Sequence, residues 1–119
     1  MNNKRLGTLF EREFCALLAA RGYWVHFITP AANGTQPFDV IAVKDGKAYA
    51  YDCKTSTLRH FTMARLEQNQ ITSFEKWMKC GNGVPRVAVK YMGSVYIVNY
   101  KVLKEKGIVD LLEESVCLD

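Results

Sequence analysis

The chain has 119 residues, so the expectation is one compact domain over residues 1–119; halving it would leave pieces near the size where an unassisted core fails. Hydrophobic residues make up 49% and charged residues 24%, which excludes a mostly disordered chain, and no apolar run nears the ~18 residues that span a bilayer. Sixteen Lys and Arg against twelve Asp and Glu leave a net charge of +4, a mild surplus that favours polyanions such as nucleic acid.

The opening, Met1-Asn2-Asn3-Lys4-Arg5, leads into a charged helical pattern and not into a signal-peptide core, which points to the cytoplasm. Leu6, Leu9, Phe10, Phe14, Leu17 and Leu18 recur at helical spacing and predict a helix over roughly 4–21, stopped by Gly22. Tyr23 to Ile28 is aromatic and β-branched and predicts a strand, with His26 partly buried in it. Thr29 to Pro37 holds two prolines, a glycine and an asparagine and predicts a loop. Phe38 to Val43 and Ala48 to Thr55 predict two strands joined by a hairpin at Asp45-Gly46.

A polar stretch, Ser56 to Thr62, precedes a second predicted helix over roughly 64–79, with Ile71, Phe74, Trp77 and Met78 as its apolar stripe. Val84 to Lys90 and Val95 to Val98 predict a second hairpin, and Tyr100 to Leu118 one or two short helices broken at Gly107. The predicted order is α-β-β-β-α-β-β with short C-terminal helices, a mixed α/β (α+β) domain on a small central sheet. The cysteines Cys15, Cys53, Cys80 and Cys117 form no CxxC pair, which argues for reduced core residues and against zinc. The tyrosines and tryptophans are expected in the core.

Asp52-Cys53-Lys54 lies inside the third predicted strand, so alternation puts Asp52 and Lys54 on one face. Burying both charges is costly unless they pair or bind something, or unless the strand is an edge with a solvated face. A tight hairpin at Asp45-Gly46 pairs residues placed symmetrically about the turn, which sets Asp39 opposite Asp52. Two carboxylates that close repel unless a cation joins them, and oxygen donors suit Mg²⁺ or Mn²⁺. A solvated Asp beside a surface Asp-Lys pair is the alternative.

These residues resemble the PD-(D/E)xK nuclease superfamily, and most closely the archaeal-type Holliday junction resolvases and related RecU-like or phage resolvases. Gly7-Thr8-Leu9-Phe10-Glu11-Arg12 resembles the family's helical G-x-x-x-E-R, Pro37-Phe38-Asp39 its first aspartate, and Asp52-Cys53-Lys54 its (D/E)-x-K element. Gln70, opening the apolar run to Gly81, resembles the glutamine-bearing helix. Two features depart from the pattern: one residue stands between Pro37 and Asp39, and Asp52 stands where Glu is usual.

The resemblance implies a restriction-endonuclease-like core and a metal-dependent DNA endonuclease that resolves four-way junctions as a homodimer, with another nuclease of this superfamily (restriction-like, transposon or repair) or a catalytically silent DNA-binding module of the same fold as alternatives. Its metal, Mg²⁺ with Mn²⁺ as a substitute, would be held by Asp39, Asp52, the backbone carbonyl of Cys53, and Glu11 directly or through water. Lys54 would activate water and stabilise charge on the phosphate, and Gln70 would complete the site or orient Lys54. Helical periodicity alone selects Glu13 over Glu11 as the buried acid, and Gln68 competes with Gln70. Phosphate contacts are expected from Arg59, His60 and Arg65, from the hairpin lysines Lys44 and Lys47, and from Thr29, Asn33 and Thr35 in the loop beside Asp39.

Overall fold

The computed structural model describes residues 3–29, 32–33 and 35–118. In chain order the elements are α1 (Asn3–Ala20), β1 (Trp24–Phe27), β2 (Val40–Lys44), β3 (Lys47–Ser56), β4 (His60–Thr62), α2 (Gln68–Lys79), β5 (Arg86–Tyr91), β6 (Ser94–Asn99), α3 (Tyr100–Lys106), β7 (Ile108–Asp110) and β8 (Val116–Cys117). Six strands form one mixed sheet, ordered β1-β2-β3-β5-β6-β8, and β4 and β7 form a separate ribbon. Among the described residues no helix is long and apolar enough to cross a membrane.

Strands β3 and β5 are parallel, so the chain between them must cross over a face of the sheet, and α2 lies in that crossover. Its Phe74 packs with Phe38, Ala50, Val87, Val89 and Tyr100. On the opposite face α1 buries Phe10, Phe14 and Leu18, one helical turn apart, against Val40, Ala42, Tyr51, Cys53 and Ala88. Neighbours in one strand therefore serve different cores: Ala50 and Tyr51 part company, as do Val87 and Ala88. A strand covered on both faces needs apolar residues at every position, which is why β5 carries the run Val87-Ala88-Val89.

The β2–β3 hairpin turns at Asp45 and Gly46, both with positive φ (53° and 75°), the pair of left-handed residues that a two-residue turn needs. Its register runs from Lys44↔Lys47 to Val40↔Tyr51, symmetric about the turn as the sequence predicts. Phe38 and Asp39, expected in this strand, lie outside it for a reason the site supplies.

Several expectations need correction. The second helix does not begin near residue 64. Met63–Arg65 form a 3₁₀ turn, Leu66 and Glu67 are extended, and α2 starts at Gln68. The break lets Leu66 bury its side chain and lets Gln70 Oε1 accept from the Glu67 N–H at 2.9 Å. Of the one or two C-terminal helices expected, the chain forms one. Gly107 (φ 77°) ends α3, and the chain then pairs β7 with β4, burying Val109, with Leu111 buried just beyond. His26 and Trp24 are exposed on the edge strand, where their rings stack 6.1 Å apart, because only one face of that short strand is covered. Cys53 is buried and Cys15 half-buried, whereas Cys80 and Cys117 are exposed.

Candidate active site

Strand β3 sits inside the sheet, between β2 and β5, so it is no edge and gives Asp52 no solvated face. Asp52 is wholly buried. Its Oδ1 accepts from Gln70 Nε2 at 2.9 Å; its Oδ2 lies 3.3 Å from Lys54 Nζ and has no hydrogen-bond partner among the described residues. Gln70 is held at both ends of its amide, since its Oε1 takes the Glu67 N–H at the start of α2. Burial pushes the Asp52 carboxyl well above the usual carboxylate range; the neighbouring Asp39 adds to this and Lys54 opposes it.

Asp39 reaches the same point by breaking the ladder. Its N–H donates to the Tyr51 carbonyl at 3.1 Å, one residue off the hairpin register, and its Oδ2 accepts from the Cys53 N–H at 2.8 Å. The carboxylate thus replaces the strand partner that β2 no longer provides. In a strand the N–H and C=O of one residue leave on the same side. The Cys53 carbonyl therefore also faces the space beyond the end of β2, where Asp39 stands.

Glu11 completes the group from α1. Its pKa is raised to about 7, first by burial and then by Asp39, while Lys54 lowers it. Glu13, the rival by periodicity, is exposed and pairs with Lys90 at 2.5 Å. Gln68 is likewise exposed and donates to Thr72 Oγ1 at 3.2 Å. The structure therefore brings Glu11, Asp39, Asp52, Cys53, Lys54 and Gln70 together and leaves Glu13 and Gln68 outside.

Among the described residues no three His, Cys, Asp or Glu side chains cluster closely enough to hold a metal by themselves. The donor set is two crowded carboxylates, a backbone carbonyl and a more distant glutamate. Asp52 Oδ2 is a buried oxygen without a hydrogen-bond partner among the described residues, and Asp39 adds to the raised pKa of both Glu11 and Asp52. Both features fit a hard divalent cation with part of its water shell retained.

Two predictions arise here. Gln70→Ala should cost roughly 2 kcal/mol of stability, the usual value for losing a buried bond to a charged acceptor, read by urea unfolding. Glu11 with its pKa raised from 4.5 to about 7 penalises the folded state once ionised. In metal-free protein, Glu11→Gln should therefore match the parent in thermal stability at about pH 4.5 and exceed it above about pH 7.

The expected phosphate-contacting residues divide. Arg65 donates to the Thr55 carbonyl at 2.8 Å, next to Lys54, so its charge lies at the Lys54 end of β3. Thr29, Asn33 and Thr35 are exposed in the loop that ends at Asp39; Asn33 Oδ1 accepts from Thr35 Oγ1 at 2.6 Å, and Pro30, Ala31 and Gly34 lie outside the described residues. Arg59 makes two 2.8 Å bonds to Asp110, and His60 lies 3.7 Å from the same carboxylate. These contacts tie β4 and the residue before it to β7. Lys44, five residues from Asp39 or roughly 17 Å along the strand, and its cross-strand partner Lys47 flank the hairpin.

Sequence reasoning passed over Asn69. Its Nδ2 donates to the Gln36 carbonyl at 2.7 Å, and the Ile28 N–H donates to the Asp39 carbonyl at 2.7 Å. Together they close both ends of the 29–37 loop beside the carboxylates. The only sequence signal was its place next to Gln70 in the first turn of α2. An open groove of about 820 Å³, lined by Leu9, Thr55, Ser56, Arg65, Lys90 and Met92 among others, continues from the lysine end of β3.

Residues 2–116 match the model of the archaeal Holliday junction resolvase (Hjc) family. The crossover junction endodeoxyribonuclease Hjc of Methanocaldococcus jannaschii is 28% identical over 112 residues, 94% of this chain and 79% of that one. The crystal structure of Archaeoglobus fulgidus Hjc, a Holliday junction resolvase, shares the fold with a TM-score of 0.63 and 17% identity, covering 80% of this chain and 73% of that one. The carboxylate–lysine centre at the end of a mixed sheet and the match over nearly the whole length agree: this chain belongs to the archaeal Holliday junction resolvase family.

Proposed function

We propose that Asp39, Asp52, the Cys53 carbonyl and Glu11 hold a divalent cation, Mg²⁺ with Mn²⁺ as a substitute, with which this Holliday junction endonuclease hydrolyses phosphodiester bonds. The observation that carries the proposal is the buried Asp52, whose Oδ2 has no hydrogen-bond partner among the described residues and lies 3.3 Å from the Lys54 ammonium. The ion's chemical contribution, when bound, is an acidified water and a polarised phosphoryl oxygen. Glu11 orients water from the α1 side. Lys54, its side chain only 17% exposed and its Nζ beside Asp52, meets the charge that develops on the phosphate. Gln70 keeps Asp52 Oδ1 occupied, so that Oδ2 is the oxygen presented to the cation.

Symmetric cutting of a four-way junction needs two such centres related by a two-fold axis, and one chain carries one, so the working unit is a homodimer. Its place of work is the cytoplasm, with its DNA. Sedimentation should show a dimer at the concentrations where the enzyme cuts. Junction affinity, measured without metal, should fall by more than tenfold between ~50 and ~200 mM salt as phosphate contacts release counterions. Arg65→Ala should shorten that salt slope, because its guanidinium lies next to Lys54. A slope equal to that of the parent would remove Arg65 from the DNA surface.

A further inference from the structure

On the other face of β3, between the C-terminal end of α1 and the sheet, lies a second cavity of about 640 Å³. Arg21, Lys44 and Arg86 line it, with Tyr51 and an apolar floor of Leu18 and Ile97, and among the described residues neither aspartate nor glutamate contributes to its wall. Among the described residues, none of these three cations pairs with a carboxylate.

Their side chains are nevertheless held in place. Lys44 Nζ donates to the Arg21 carbonyl at 2.7 Å and lies 5.2 Å from the Tyr23 ring centroid. Arg86 lies 4.9 Å from the Tyr49 ring centroid and donates to Tyr51 Oη at 3.3 Å. Tyr23 and Tyr49 touch edge to face at 5.8 Å, so a single aromatic pair carries both cations toward one space. Arg21 donates to the Leu118 carbonyl across the rim. Long cationic side chains normally splay into water, and holding three together costs Coulomb energy. Two guanidiniums, an ammonium and a phenol that already accepts from one of them make a receptor for tetrahedral oxyanions.

We propose that this cavity binds a phosphoryl oxyanion, held by Arg21, Lys44 and Arg86 with the Tyr51 hydroxyl donating. Side chains of neighbouring strand residues leave opposite faces, so the site is separate from the one built on Asp52. Two sources share the chemistry: a phosphodiester of a DNA arm, or the phosphate groups of a free polyphosphate compound.

The test is calorimetric titration of metal-free protein, in chelator, with inorganic pyrophosphate and with a short duplex. The parent should bind one pyrophosphate saturably. Arg86→Gln should weaken it about tenfold, and Arg21→Gln, altered at an exposed side chain that leaves the fold intact, several-fold. Asp39→Asn should bind pyrophosphate like the parent, which keeps this result separate from the fate of the nuclease centre. A DNA source requires that pyrophosphate displace the duplex from the parent and that Arg86→Gln bind the duplex more weakly. A free polyphosphate source requires unchanged duplex affinity in Arg86→Gln while its pyrophosphate binding is weakened. Absence of saturable pyrophosphate binding, or equal affinity in the parent and both variants, would overturn the proposal.

Discussion

Asp39→Asn is expected to lower single-turnover cleavage of a four-way junction by about a thousandfold or more, while junction affinity measured in chelator stays near that of the parent. The substitution keeps the shape of the side chain and its carbonyl oxygen can still accept from the Cys53 N–H, so the bulged end of β2 survives. What disappears is one of two negative charges whose crowding raises the Asp52 pKa. The crowding is unfavourable in the metal-free protein and becomes favourable when a cation neutralises it. The same variant should therefore be at least as stable as the parent without metal and gain less stability from Mg²⁺. Thermal unfolding with and without the ion reads this directly. A stable variant that still cuts at the parental rate would separate Asp39 from the chemistry.

The second large effect is expected at Lys54. Lys54→Ala should reduce the cleavage rate by two to three orders of magnitude, roughly the cost of losing one preorganised charged contact, with metal affinity almost unchanged. Asp52→Ala should instead shift the Mg²⁺ dependence to higher concentration, and Mn²⁺ should partly restore it. The two side chains are 3.3 Å apart and serve one step, so the double variant should be little slower than the worse single one. Parental metal dependence in Asp52→Ala, or a parental rate in Lys54→Ala, would reduce the pair to a buried ion pair with a structural role. Lys54→Ala also strands the buried Asp52 charge, so the rates must be compared at matched folded fractions.

The centre was legible because it depends on short-range rules. Alternation along β3 set Asp52 beside Lys54, and the Asp45-Gly46 turn fixed the register that brings Asp39 to the same end. What stayed hidden was the bulge: Asp39 sits one residue off register because its own carboxylate takes the Cys53 N–H, a choice no periodicity encodes. The wheel of α1 favoured Glu13 because it measures average apolarity and ignores partners. Lys90, on a strand distant in the chain, draws Glu13 outward. The break at Leu66 and Glu67 carries neither Pro nor Gly and follows from tertiary packing. The strand after Gly107 exists because β4 waits for it, a pairing across about fifty residues of chain. Arg59 and His60 looked like free phosphate contacts for the same reason: Asp110 reaches them only once that ribbon forms.

The most direct measurement is cleavage of a labelled four-way junction beside a linear duplex of the same sequence, with Mg²⁺ and with chelator, by the parent and by Asp39→Asn. The expected result is paired, symmetric cuts in the junction arms, little cutting of the duplex, none in chelator, and none by the variant. Cutting that persists in chelator, or a junction bound but left intact by the parent in Mg²⁺, would contradict the assignment of Glu11, Asp39, Asp52 and Lys54 as a metal-dependent nuclease centre.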